Sequence, residues 1–182
     1  MVNINKPGLT NLQRRILRFF FIKNTSGLNQ RNIAKALEVS PPAIKKALPE
    51  LEKQSYLVSF QDEDSGRWEI RLNKENRRVM QLKRADNLEQ IYESDLIEYL
   101  EHEFAGSSII LFGSYSRGDD TENSDIDIAI IGRKDKMLKL EKYEFALERK
   151  ISIQCYESFD KIHKHLKENL CNGIVLSGGI EL

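Results

Sequence analysis

The chain has 182 residues, 40% hydrophobic and 31% charged, enough for one medium domain or two small ones. Its longest apolar cluster, Phe19 to Ile22, is far too short to span a membrane, and its two cysteines, Cys155 and Cys171, form neither a disulfide framework nor a metal-type pair. The formal net charge of zero hides a division: residues 1–84 carry 17 Lys and Arg against 8 Asp and Glu, a net of +9, whereas residues 85–182 carry 11 against 20, a net of −9. Such asymmetry points to two domains with different partners, nucleic acid for the basic half, or to a head-to-tail contact between domains or subunits.

The start, Met1-Val2-Asn3-Ile4-Asn5-Lys6, has no secretory apolar region, so a cytoplasmic protein without a membrane segment is expected. Thr10 is a good N-cap for a helix through Leu12, Ile16, Leu17 and Phe19 to Phe21. Gly27 breaks the chain. Asn29 caps a short helix, Ile33 to Leu37, and Glu38-Val39 makes a tight turn. Ser40 caps a third helix with Pro41 at its first position, where proline is tolerated. Two short helices joined by such a turn make a helix-turn-helix. Tyr56 to Phe60 and Arg67 to Leu72 read as strands, with Asp62 to Gly66 as the hairpin turn. Residues 8–73 in this order resemble a winged helix-turn-helix domain. The resemblance implies that the helix at Ser40 enters the major groove of double-stranded DNA. Carried over, the contacting residues are Ser40, Lys45 and Lys46, with Gln30 and Arg31 near the backbone. Pro49 in the helix interior and the acidic wing tip Asp62-Glu63-Asp64 depart from that pattern. The alternative is a protein-interaction or dimerisation module.

Residues 74–105 read as one continuous helix capped by Asn73, with Val79, Leu82, Leu88, Ile91, Leu96, Leu100 and Phe104 along one face. Its first part is basic and its second acidic. The switch near Ala85-Asp86 sets the domain boundary, giving 1–84 and 85–182. An apolar stripe of this length could pair two subunits as a homodimer. Further on, Gly132 to Lys134 links to a helix expected over 135–150. Ile151 to Tyr156 reads as a strand and 158–170 as the last helix. His163 and His165 lie on its solvated face.

The densest information is in residues 112–128. The apolar run Ile109 to Phe112 ends in Gly113-Ser114, and ten residues later come Asp125 and Asp127, alternating with Ile126 and Ile128. In a strand, positions two apart share a face, so both aspartates point one way and both isoleucines into a core. Neighbouring carboxylates repel unless a cation lies between them. All-oxygen ligands of this kind suit magnesium or manganese, with substrate phosphates completing the shell. Gly113 permits close backbone approach, and Ser114 begins a short helix whose free N–H groups favour an anion such as a triphosphate. Together these are phosphoryl-transfer parts. The alternative is that Asp119, Asp120, Glu122, Asp125 and Asp127 are only an acidic hairpin loop.

Phe112-Gly113-Ser114, ten residues, then Asp125-Ile126-Asp127-Ile128 resembles the signature of the polymerase-beta-like nucleotidyltransferases. Arg117-Gly118 and Ser124 resemble its minimal branch, over about residues 86–182. The resemblance implies an α+β architecture overall: an N-terminal winged helix-turn-helix, then a mixed sheet with helices. It implies a nucleoside triphosphate donor held by Gly113, Ser114 and Arg117, and Mg2+ or Mn2+ held by the catalytic pair Asp125 and Asp127. A nucleotidyl group, AMP, would pass to a hydroxyl of an unknown acceptor. Members of this branch often modify a partner toxin protein, which makes a protein one candidate acceptor. The family's third carboxylate belongs on the strand 151–156, where Ser152 and Gln154 stand instead. That departure leaves a second reading: a DNA-binding regulator with weak or no catalysis, whose second domain senses nucleotide or dimerises.

Overall fold

The computed structural model describes residues 8–23, 27–63 and 66–180; the stretch Met1 to Lys6 and the wing-tip residue Asp64 lie outside them. The chain divides into two compact units, Met1–Val79 and Met80–Leu182. Among the described residues no helix is long and apolar enough to cross a membrane.

In the first unit, α1 (Asn11–Ile22) opens with a capping box: Thr10 Oγ1 accepts from Gln13 N, and Gln13 Oε1 accepts from Thr10 N. Its apolar stripe, Ile16, Leu17, Phe20 and Phe21, is buried. Helix α2 (Gln30–Ala36) is capped by the Asn29 side chain. The turn to α3 (Pro41–Lys53) passes through Glu38 in the left-handed region, φ 53°. Ser40 precedes α3 with extended backbone, and its side chain makes no capping hydrogen bond. Pro49 sits inside α3 without ending it. It is exposed, so water can serve the carbonyl that a proline leaves unbonded. Strands β1 (Leu57–Gln61) and β2 (Trp68–Leu72) pair antiparallel. A bridge of two 2.9 Å hydrogen bonds adds Leu28 to Ile70 of β2. Three helices, a tight turn between the last two and a hairpin make this unit a winged helix-turn-helix.

The second unit holds a four-stranded mixed sheet in the order β5-β4-β3-β6. Its strands are β3 (Ser108–Phe112), β4 (Ile126–Ile131), β5 (Ile151–Tyr156) and β6 (Ile174–Ser177). β4 and β5 are parallel, and β3 is antiparallel to both β4 and β6. Alternation divides the residues between two faces. Ile109, Leu111, Ile126, Ile128 and Ile130 join a core with Leu96, Leu100 and Phe104. Ile110, Phe112 and Ala129 pack with Phe159, Ile162 and Leu170 on the other face. The β4–β5 crossover carries α7 (Glu141–Leu147).

Several expected boundaries change. The helix expected over 74–105 is two helices, α4 (Arg77–Glu93) and α5 (Leu96–Glu103). The break follows from Asp95 in the left-handed region, φ 58°, and from Ser94 Oγ donating to Ile91 O. At the N-terminal end Asn76, not Asn73, serves the first turn, accepting from Arg78 N. The buried stripe of α4 is Val79, Lys83, Asn87 and Ile91, spaced four apart, so two of its members are polar. The helix expected over 135–150 shrinks to α7, with Met137 fully exposed ahead of it. The expected last helix is a 3₁₀ turn (Phe159–Lys161) and then α8 (Lys164–Cys171), with His163 just before it. β6 was not expected.

Candidate functional site

β3 brings the chain to the end of the sheet, where Gly113 turns it into the five-residue helix α6 (Gly113–Arg117). Gly113 has φ 74°, and a Cβ there would lie 2.3 Å from Asp127 Oδ2. The backbone favours glycine and a Cβ would push the Asp127 carboxylate aside, so that carboxylate lies against the Gly113 backbone. Ser116, buried, donates from Oγ to the Gly113 carbonyl at 2.9 Å. Gly118 closes the helix at φ 82°, its N–H bonding the Ser114 carbonyl at 3.0 Å. A Cβ on Gly118 would meet the Met80 carbonyl at 2.8 Å, so this turn packs directly on the backbone of α4.

The loop beyond is anchored by Asp120, which is 2% exposed. Its Oδ1 pairs with Lys83 Nζ at 2.9 Å and accepts from Asn87 Nδ2 at 2.8 Å; Arg149 lies 3.8 Å from Oδ2. Asn87 Nδ2 also donates to the Tyr115 carbonyl of α6 at 2.9 Å. Asp120 is thus no member of a solvated acidic loop. It is the buried counter-ion that fastens α6 and its loop to α4. Its signal in the sequence was Lys83 and Asn87 falling four apart, in line with Val79 and Ile91.

Thr121 and Ser124 then form a turn, Thr121 N donating to Ser124 Oγ at 2.9 Å. The turn delivers Asp125, exposed and one residue ahead of β4, and Asp127, half-buried within it. Asp125 therefore lies outside the strand, though Ile126 and Ile128 are fully buried as expected. Burial, and then the negative charge of Asp125, push the Asp127 carboxyl above the usual carboxylate range, while the positive charge of Arg117 opposes them. The two aspartates and Arg117 accordingly share one electrostatic neighbourhood. Arg117 Nε also lies 3.2 Å from Asp119 Oδ2, both half-exposed.

The sheet register places Ser152 directly beside Asp127, on the same face. Gln154, beside Ala129, accepts from the Tyr156 hydroxyl at 2.7 Å. Among the described residues no group of three or more His, Cys, Asp or Glu assembles as a metal cage.

In the first unit, Ser40, Lys45, Lys46 and Arg31 are all exposed. Lys45 and Lys46 face away from Ile44, Ala47, Leu48 and Leu51, which bury the other side of α3. A cavity of about 500 Å3 beside the start of α2 is lined by Asn29, Gln30, Arg31, Arg67 and Trp68. Trp68 is 65% exposed.

Residues 93–176 match the family model of the nucleotidyltransferase domain. The matched stretch takes in Gly113, Ser114, Asp125, Asp127 and Ser152. The chain is also 51% identical, over 43 residues, to a curated protein of Methanocaldococcus jannaschii whose name marks it as a candidate protein adenylyltransferase. That alignment covers 22% of this chain and 43% of the relative. Among solved structures, similarity is found to the S. aureus MepR–DNA complex, at 26% identity and TM-score 0.38, covering 52% of this chain and 81% of that one. A MepR mutant from a multidrug resistant S. aureus clinical isolate is similar at 28% identity and TM-score 0.36, covering 39% of this chain and 52% of that one. A mutant of Lactococcus lactis ZitR is similar at 24% identity and TM-score 0.38, covering 58% and 72%.

Proposed function

We propose that the second unit transfers a nucleotidyl group, AMP, from a nucleoside triphosphate to a protein hydroxyl, and that the first unit binds double-stranded DNA. The observation that supports the transfer reading is the close approach of Asp127 to Gly113 within the stretch that matches the nucleotidyltransferase domain model, which sets the Gly-Ser turn against one of the two carboxylates. The name of the curated relative supports AMP and a protein acceptor.

Asp125 and Asp127 fit a magnesium or manganese ion that keeps part of its shell for substrate oxygens. One or two carboxylates are what such an ion usually takes from protein, and a cation beside the pair would oppose the burial and the Asp125 charge that raise the Asp127 carboxyl. The bound ion would supply Lewis-acid polarisation of the α-phosphate. Gly113 and Ser114 offer backbone N–H groups at the start of α6 to the triphosphate, and Arg117 offsets phosphate charge. The hydroxyl oxygen bonds to the α-phosphorus, the α–β anhydride bond breaks, and pyrophosphate leaves. Ser152, neutral at pH 7, cannot take the hydroxyl proton as a carboxylate would, so that proton passes to water.

One observation favours the second reading, a regulator with weak transfer: the register sets a hydroxyl at the position beside Asp127 where a third carboxylate is expected. The test common to both is calorimetry with manganese and a non-hydrolysable triphosphate. The wild type should show metal-dependent nucleotide binding, and Asp125→Ala/Asp127→Ala should lose it. Equal binding by the double variant would reject the site.

A further inference from the structure

Beside Asp125 the surface opens into a cavity of about 620 Å3, walled by Ser124, Asp125, Glu141, Phe145, Glu148 and Lys150. Helix α7 forms one side. Its inner face buries Tyr143 and Leu147, with Tyr143 stacked on Tyr99 at 5.1 Å. Glu144 ties α7 to β5, accepting from Ile151 N at 3.1 Å and pairing with Lys150 at 3.0 Å. The outer face carries Glu141 and Phe145, one turn apart, and Glu148 ends it in the left-handed region. Phe145 is 88% exposed. An exposed aromatic ring between two glutamates is an unpartnered helix face.

We propose that this face docks the acceptor, and that the acceptor is a basic protein segment with Lys or Arg beside the accepting hydroxyl. The inference rests on the transfer reading above. Charge decides between the two substrates. A triphosphate would be repelled by Asp125, Glu141 and Glu148. The cations of this wall do not offset them: Arg149 and Lys150 stand against five carboxylates, Glu122, Asp125, Glu141, Glu144 and Glu148. The site must also hold an acceptor, and a cationic one is drawn to this wall. An Arg or Lys side chain can lay its charge over the Phe145 ring and meet a glutamate with its donors. The cavity shares Asp125 with the candidate metal site, so a hydroxyl near the docked cation is brought to the reacting phosphate.

The test is fluorescence anisotropy with the full chain at low salt and two fluorescein-labelled peptides that each carry Ser, Thr and Tyr, one rich in Lys and Arg and one in Asp and Glu. The basic peptide should bind saturably and the acidic one should not. Glu141→Gln/Glu148→Gln and, separately, Phe145→Ser should each weaken the basic peptide by about tenfold or more, the scale of lost close charge contacts. Glu101→Gln/Glu157→Gln, altering acidic residues of a different cavity, should leave it unchanged. All the substituted positions are exposed on the surface, and a thermal melt checks each fold. The proposal falls if the basic peptide does not bind, if it binds the α7 variants as tightly as wild type, if the control pair weakens it equally, or if spermidine occupies the cavity and the peptide does not. Nucleotide binding is measured in parallel. Peptide binding without nucleotide binding would reject the transfer reading and keep the docking surface, and the converse would do the reverse.

Discussion

A methyl group added at Gly113 would contend for space with Asp127 Oδ2, 2.3 Å away, on a backbone at φ 74°. The left-handed backbone alone costs an L-residue about 1–2 kcal/mol, and the contact must move the carboxylate as well. Gly113→Ala should therefore weaken metal-dependent nucleotide binding by about tenfold or more, for each 1.4 kcal/mol of misplacement is a factor of about ten. Calorimetry checks this, and full affinity would show that Asp127 need not keep its place. Ser152 poses the complementary question. Ser152→Asp sets a third carboxylate directly beside Asp127 in the sheet. General-base help is worth roughly a hundred- to ten-thousand-fold in rate. We expect weak or absent label transfer from an α-labelled triphosphate in the wild type and a clear gain in Ser152→Asp. Robust wild-type transfer that Ser152→Asp does not improve and Asp125→Ala abolishes would mean that the acceptor needs no base from this strand.

Helix α7 is tied to β5 through one carboxylate. Ile151 N and Lys150 both donate to Glu144 and hold its carboxyl below the usual carboxylate range. A group whose folded pKa is lowered adds stability above its unfolded pKa, near about 4.3 for Glu, and loses it as the pH falls through the folded value. Glu144→Ala should therefore lower the stability at pH 7 by about 1 kcal/mol, the usual worth of one intramolecular hydrogen bond. The gap from wild type should narrow as the pH drops below about 4. Denaturant melts at several pH values check this, and a gap that stays constant into strong acid would assign the loss to packing instead. Elements of this kind were unevenly legible in the sequence. The three N-terminal helices and both hairpin strands announce themselves through caps at Thr10 and Asn29, Pro41 at a first turn, and alternation. β3 reads clearly because Ile, Leu and Phe crowd both its faces, and β4 because isoleucines alternate with the aspartates. The break at Asp95 did not: an apolar period continues across it, and the helices are divided by the left-handed backbone, which aspartate tolerates, and by the Ser94 hydroxyl bonded to Ile91 O. β6 escaped because Ile174 to Ser177 is four residues long and draws its identity from pairing with β3. Within the site, Gly113, Asp125 and Asp127 were visible as a spaced signature. Asp120 was not, because its role depends on Lys83, Asn87 and Arg149, which are distant in sequence.

Across the whole chain, charge is the property that differs most between its parts, +9 over residues 1–84 and −9 over 85–182. A net charge of zero draws the whole molecule to no polyanion, so any affinity for DNA must come from a local basic surface. Lys45 and Lys46 supply one, exposed side by side on α3 opposite its buried face. Phosphate contacts release condensed counterions, and each contact adds about 0.9 to the steepness with which log affinity falls against log salt. For the full chain on a random duplex, Lys45→Ala/Lys46→Ala should weaken binding at low salt and flatten the slope by about 1–2, depending on whether one or both lysines touch phosphate. The loss should be uniform across sequences, because phosphate contacts position a protein without reading bases. Asp125→Ala/Asp127→Ala, which removes negative charge from the other unit, serves as the control and should leave the slope unaltered. Fluorescence anisotropy against a salt series provides both quantities. Wild-type binding too weak to detect at the lowest salt would make the first unit a protein-interaction module, and an unchanged slope in the lysine variant would move the DNA contact away from α3.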